Sequence, residues 1–412
     1  MLSPSTSETQ KGYQTPRYGY IVLAVCFLIM VLVYGTQYCF GVFFKPMIAD
    51  FGWSRAATSG PFALYSIVGG LLAVISGRLS DRLGSRVIIT IGSLIFGLGF
   101  LLTSRIHNLW QLYLFFGVIA AAGFSTIYAP LVATLTRWFP QKRGLMAGIG
   151  ISGIGFGIAV IPVLASAIIV AESWRISMLI IGIICLVLTL LLAQLIKEAP
   201  QPANIQSVYP ETQVRKATAF QELTFGQALK TAQFWLFFIA WACYGFYFQI
   251  APVHIVPYAT DIGMSVTAAA TVLTVIGLVG TGARIIIGFS GDHFGNKSVV
   301  VFSFAALTAA FSILAASQSI WVLYVFGILY GCFSGLGVLL GPILTEFFGF
   351  RSLGVIVGGM MLAFALGGAV SPPLSGAIFD ITGSYQLAFI ACGLLALVST
   401  VMMILIRKPT GH

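Results

Sequence analysis

The stretch Gly77-Arg78-Leu79-Ser80-Asp81-Arg82-Leu83-Gly84-Ser85-Arg86 recurs in weakened form as Gly288-Phe289-Ser290-Gly291-Asp292-His293-Phe294-Gly295-Asn296-Lys297. The offset is 211 residues in a chain of 412, and it aligns Gly77 with Gly288, Asp81 with Asp292, Gly84 with Gly295 and Arg86 with Lys297. A repeat at half the chain length points to two equivalent halves. Each copy is a short polar turn between long apolar runs, so both read as loops at a membrane surface.

Outward from these loops the chain is 58% hydrophobic and only 8% charged, against roughly 25% charged residues in soluble domains. A helix needs about 20 apolar residues to cross a bilayer. Twelve runs qualify, at 18–46, 57–77, 86–104, 109–136, 144–170, 176–196, 232–259, 262–290, 298–316, 320–347, 354–378 and 385–406. The expected fold is therefore an all-α membrane protein of twelve transmembrane helices in two six-helix halves. The halves span 1–196 and 231–412. Between them, 197–230 holds Pro200, Pro202, Pro210 and seven charged residues counting both ends, a cytoplasmic linker with room for one amphipathic turn near Ala219–Leu229.

Sixteen of the 21 lysines and arginines fall on the side shared by the two chain ends, four fall on the other, and Arg284 lies within a span. The positive-inside rule then places both termini in the cytoplasm. The net charge of +10 is thus an orientation signal, and no nucleic-acid partner is expected. The first sixteen residues are polar and lack the apolar core of a cleaved signal. The six cysteines lie in apolar helices without metal-ligand spacing and read as packing residues. Glycine-rich runs sit mid-span without a following Lys-Ser or Lys-Thr, so no nucleotide site, metal or cofactor is expected. An enzyme would need a nucleophile and base or a metal cluster, and the apolar runs hold one histidine and, apart from Glu346 at the end of the tenth, no Asp or Glu.

Arg284 is the one fixed charge that cannot easily reach water. Burying an arginine on a spanning helix costs about 2.5 to 10 kcal/mol or more depending on how far it snorkels, and apart from Glu346 at the end of the tenth run no acid lies in any apolar run to neutralise it. Its natural partner is a small carboxylate arriving from outside. At 1.5 Å per residue it lies about 12 Å past the middle of its run, so snorkelling toward Asp292 is the competing reading. Tyr128 lies at similar depth in helix 4, and Tyr330 nearer the midplane in helix 10. Each phenol would suit a substrate oxygen or a neighbouring backbone carbonyl. Tyr34 and Tyr38 share a helical face with Lys45, either a cavity wall or an aromatic belt. His254, with Gln249 five residues earlier, is the histidine inside a span and the obvious carrier of a coupling proton, or else an interfacial residue.

The 77–86 loop and its echo resemble the signature loop of the major facilitator superfamily. That resemblance implies a gating role for Asp81, Arg82, Arg86 and Asp292, whose charges would form a cluster that makes and breaks as the halves rock. A narrower resemblance rests on four segments. They are Gly41-Val42-Phe43-Phe44-Lys45-Pro46 continuing to Phe51-Gly52-Trp53-Ser54-Arg55, then Arg137-Trp138-Phe139-Pro140-Gln141-Lys142-Arg143-Gly144, then Ser173-Trp174-Arg175, and finally the run Gly376 to Tyr385. In that order they are similar to the monocarboxylate transporter family, including its bacterial oxalate/formate antiporter-like members. The resemblance implies transport of small carboxylates, often with a proton, and matches Lys45 and Arg284 to the family's lysine on helix 1 and substrate arginine on helix 8. Where the best-known eukaryotic members have an aspartate one turn before that arginine, this chain has Gly280. The second buried cation of the oxalate type, on helix 11, is also missing.

The expected protein is a monomeric carrier in a bacterial inner membrane, moving a monocarboxylate of the lactate or pyruvate type by proton symport. The alternative is carboxylate exchange. Substrate contacts are expected from Arg284, Tyr128, Tyr330, His254, Lys45, Tyr34 and Gln249, and proton coupling from His254, Lys45 or Arg284.

Overall fold

The computed structural model describes residues 17–139, 143–198, 223–349 and 352–407. Eleven helices among them are long and apolar enough to cross a membrane, and the pair Ile320–Phe333 and Gly337–Phe348, bent by 40°, makes a twelfth span. In chain order these are α1 (Tyr18–Phe51), α2 (Arg55–Leu83), α3 (Ser85–Thr103), α4 (Leu109–Trp138), α5 (Arg143–Ala171), α6 (Trp174–Gln194), α7 (Ala232–Asp261), α8 (Val266–Phe294), α9 (Asn296–Ala316), α10 (the bent pair), α11 (Leu353–Thr382) and α12 (Gln386–Leu405). Twelve crossings return the chain to the face where it began, here the terminal face; the other is the far face. Residues 199–222 of the expected linker lie outside the described residues. Where description resumes, Thr224 caps the short helix Phe225–Ala228, and Leu223 N donates to Phe348 O at 3.1 Å.

The helix ends follow from local chemistry. Ser54, Ser173, Thr231 and Ser265 accept from the exposed amides at the starts of α2, α6, α7 and α8, the standard remedy for unpaired N-terminal N–H groups. The aligned glycines Gly84 and Gly295 of the two loops take the same positive-φ backbone, with φ of 85° and 84°. A side chain there would be strained, so the two copies turn the chain alike.

Several helices run past their apolar stretches. α1 ends beyond Asp50, α7 at Asp261 and α11 beyond Asp380. Apart from Glu346, the scarcity of acids therefore holds for the apolar runs but not for the helices built on them, and this corrects the expectation that no carboxylate would be available near the spans.

Across the halves, α2 packs on α11, α5 on α8 and α1 on α7. Lipid supplies no hydrophobic drive between helices, so close approach relies on small residues. A Cβ at Gly155 of α5 would stand 2.5 Å from Gly277 O of α8, and Thr274 Oγ1 donates to Ala159 O at 2.7 Å along the same seam. Toward the terminal face several glycines look onto open space. Gly77 of α2, Gly144 and Gly148 of α5, Gly288 of α8 and Gly354 and Gly358 of α11 have nothing within 4 Å of where a Cβ would stand. The polar links between the halves gather along the seams and at the far side.

Candidate functional site

Arg284 lies on the seam where α5 of the first half packs against α8 of the second. Its guanidinium donates to Gly280 O, one turn back, at 3.1 Å, and it stands beside Gly155 of the first half, where a Cβ would be 3.2 Å from Nη1. Among the described residues it has no ion-pair partner. Four phenols are within electrostatic reach of its charge, Tyr34 and Tyr38 of α1, Tyr128 of α4 and Tyr244 of α7. Tyr128 is 44% exposed while Tyr38 is buried, as suits an aromatic wall with open space on one side. Tyr34 is held edge-on against Phe124 with ring centroids 4.8 Å apart.

The other candidates are placed as follows. Tyr330 is buried and its hydroxyl donates to Phe248 O at 2.7 Å, so in this state it serves a backbone carbonyl. Gln249 joins the halves by donating Nε2 to Ser66 Oγ of α2 at 3.0 Å. Arg82 is exposed, and Arg86 donates to Gln194 Oε1 at 2.7 Å within the first half. The side chains of Asp81 and Asp292 lie outside the described residues.

Lys45 and His254 belong to a second cluster, at the far face. Lys45 Nζ meets Asp261 Oδ1 at 2.8 Å. Arg55 reaches the same carboxylate with both guanidinium nitrogens, Nη1 to Oδ2 at 2.7 Å and Nη2 to Oδ1 at 3.0 Å, a bidentate fork that fixes orientation as well as charge. Its guanidinium lies 3.5 Å from the centre of the Phe379 ring. Asp380 of α11 accepts from the backbone N–H groups of Arg55 and Ala56, both at 2.9 Å, so a carboxylate of one half caps a helix of the other. His254 is fully buried. Its Nε2 is 2.8 Å from Pro372 O and its Nδ1 is 2.9 Å from Tyr385 Oη.

Every link from Arg55 or Lys45 to Asp261 or Asp380 crosses from one half to the other. A further pair, Arg175 Nη2 to Asp50 Oδ2 at 3.0 Å, stays within the first half and ties α6 to the end of α1. Sequence reasoning passed over Tyr244, Asp261, Arg55, Asp380 and Tyr385 as site residues. Arg55, Asp380 and Tyr385 sit in segments quoted for the family resemblance, so the signal was present without its pairing. Asp261 carried none, lying two residues past an apolar run. No group of His, Cys, Asp and Glu able to hold a metal occurs among the described residues.

Comparison with known proteins gives a concordant result. The model of the Major Facilitator Superfamily matches residues 26–290 and 255–412. Human monocarboxylate transporter 12 is 28% identical over 97% of this chain and 81% of its own, and chicken monocarboxylate transporter 4 is 27% identical over 94% and 82%. Among solved structures, a bacterial homolog of the human lysosomal transporter Spinster, in an inward-facing and occupied conformation, superposes with a TM-score of 0.73. It is 18% identical, over 95% of this chain and 97% of that one. The chain is a membrane transporter of the major facilitator superfamily, with monocarboxylate transporters among its relatives.

Proposed function

We propose that this transporter moves small monocarboxylates of the lactate or pyruvate type by alternating access, together with a proton. The observation behind this reading is Arg284, a guanidinium at the seam between the halves with phenols within electrostatic reach and no carboxylate paired to it among the described residues. A planar fork presents parallel donors to both oxygens of a carboxylate, and the hydroxyls of Tyr128 and Tyr34 supply further donors. One cation matches one negative charge, which favours monocarboxylates over dicarboxylates. The lysine and arginine bias assigns the terminal face to the cytoplasm, so on this reading Arg284 is reached from inside and the far gate closes the outside.

The coupling proton belongs to the same proposal. Lys45 is engaged by Asp261 at the gate, and both nitrogens of His254 have partners, which leaves Arg284 as the cation facing substrate. Purified protein in proteoliposomes should take up labelled lactate or pyruvate with saturation and counterflow. A linear, unsaturable flux would reject the carrier reading.

A further inference from the structure

We propose that Tyr385, at the start of α12, is the positioning residue that ties the protonation of His254 to the closing of the far gate. The proposal rests on the alternating-access reading of this chain, and concerns a hydroxyl to which no transport role has been attached.

The argument is a count of hydrogens. Pro372 O is an acceptor, so His254 Nε2, 2.8 Å away, must be the donor in either protonation state. Nδ1 is then the nitrogen that gains or loses the proton, and it faces Tyr385 Oη at 2.9 Å. The same oxygen accepts from Arg55 Nη1 at 2.8 Å, while the other hydrogen on that nitrogen goes to Asp261 Oδ2. With His254 neutral, every group is satisfied. Arg55 donates to the phenol oxygen, the phenol donates to Nδ1, and Nε2–H donates to Pro372 O. The chain of bonds leads from the gate carboxylate to Pro372 of α11 without a gap.

A proton on Nδ1 breaks this order. The phenol oxygen would then receive two cationic donors, imidazolium and guanidinium, and its own hydrogen would lose its acceptor. Arg55 and Tyr385 cannot both stay, and release of Arg55 undoes its fork on Asp261. The groups facing His254 give no relief. Phe44 of α1 stands edge-on with ring centroids 5.2 Å apart. Arg55 of α2 adds positive charge, and Asp380 of α11 is already capping the amides of α2. Tyr258 and Asp261 on its own helix face the Tyr385 ring and the two cations. The closed gate therefore admits neutral His254 only, and protonated His254 belongs to the outward-open state.

The test measures the gate without substrate, so its failure and that of the transport reading are separable. Spin labels at His107→Cys and Gln318→Cys, exposed far-face positions in opposite halves, report the opening in full-length protein with the six native cysteines replaced by alanine. Between about pH 8 and about pH 5.5, the range in which histidine titrates, the open fraction should rise at least about twofold. His254→Gln, whose amide still donates to Pro372 O, and Tyr385→Phe should each abolish that rise while the protein remains folded by thermal melting. A pH response that survives in both variants would assign the sensitivity to Asp261 or Asp380 and overturn the proposal, as would a pH-independent gate in the parent protein. A response lost in His254→Gln but kept in Tyr385→Phe would overturn the role of the hydroxyl.

Discussion

Lys45 and Asp261, 216 residues apart in sequence, meet at 2.8 Å where α1 and α7 end together at the far face. The contact spans the two halves, so it can exist only while that side is closed. With side chains 38% and 22% exposed, the lysine pair itself contributes at most about 1 kcal/mol. The Arg55 fork, with its side chain 12% exposed, is better shielded.

Asp261→Asn removes both pairs and leaves two cations facing each other across the seam. The closed state should lose about 1–2 kcal/mol after allowance for solvent screening, shifting the equilibrium toward outward-open about tenfold. Reaction of a thiol reagent with a cysteine placed at Ser59, buried beneath the closed gate, should quicken accordingly. Unchanged labelling would remove Asp261 from the gate.

Asp50→Asn offers the contrast. Asp50 accepts from Arg175 and, at 3.3 Å, from Trp174 Nε1, all within the first half. Loss of its charge should lower thermal stability by about 1 kcal/mol and leave Ser59→Cys labelling as it was. A gate response equal to that of Asp261→Asn would mean that the far-face charges act as a general field and not as specific links.

Arg284→Ala should abolish uptake. Arg284→Lys should fail nearly as badly, since a point charge does not reproduce a planar fork. Wild-type uptake by the lysine variant would reduce the residue to a generic positive charge. The conservative variant keeps a cation at the seam, so misfolding from a lost charge does not explain its failure.

The seam holding Arg284 gives a matched pair of glycines. A methyl at Gly155 would press on Gly277 O and stand 3.2 Å from Arg284 Nη1, whereas at Gly148, two turns away on α5, it would meet nothing within 4 Å. Overpacking of this kind costs about 1–3 kcal/mol. Gly155→Ala should cut uptake at least about tenfold, and Gly148→Ala should leave it near the parental rate. Equal rates for the two variants would show that the seam is slack where Arg284 passes.

The spans were legible because bilayer thickness imposes a length and a hydropathy that composition cannot disguise, and the repeated loop showed how they group. Arg284 was legible for a related reason, as a fixed charge with no acid in its surroundings stands out in an apolar run. The far gate was not. Its members, Lys45, Arg55, Asp261, Asp380 and Tyr385, lie at the ends of five helices, where charge is ordinary and pairing is decided by how the halves pack. Tyr330 shows the same limit, because nothing in the sequence tells whether a phenol turns to a cavity or to the carbonyl of Phe248.

The remaining prediction concerns the proton. Lowering the outside pH should raise uptake, since protonation at the gate favours the outward-open carrier and an inward proton gradient drives symport. Vesicles with an imposed gradient should accumulate labelled substrate above equilibrium, whereas counterflow at equal pH should proceed without one because exchange moves no net proton. His254→Gln should flatten the dependence on outside pH while sparing counterflow, as the amide keeps the bond to Pro372 O at the gate. If the gradient neither drives accumulation nor changes the rate in the parent protein, symport is wrong, and exchange of one carboxylate for another takes its place with Arg284 still holding the anion.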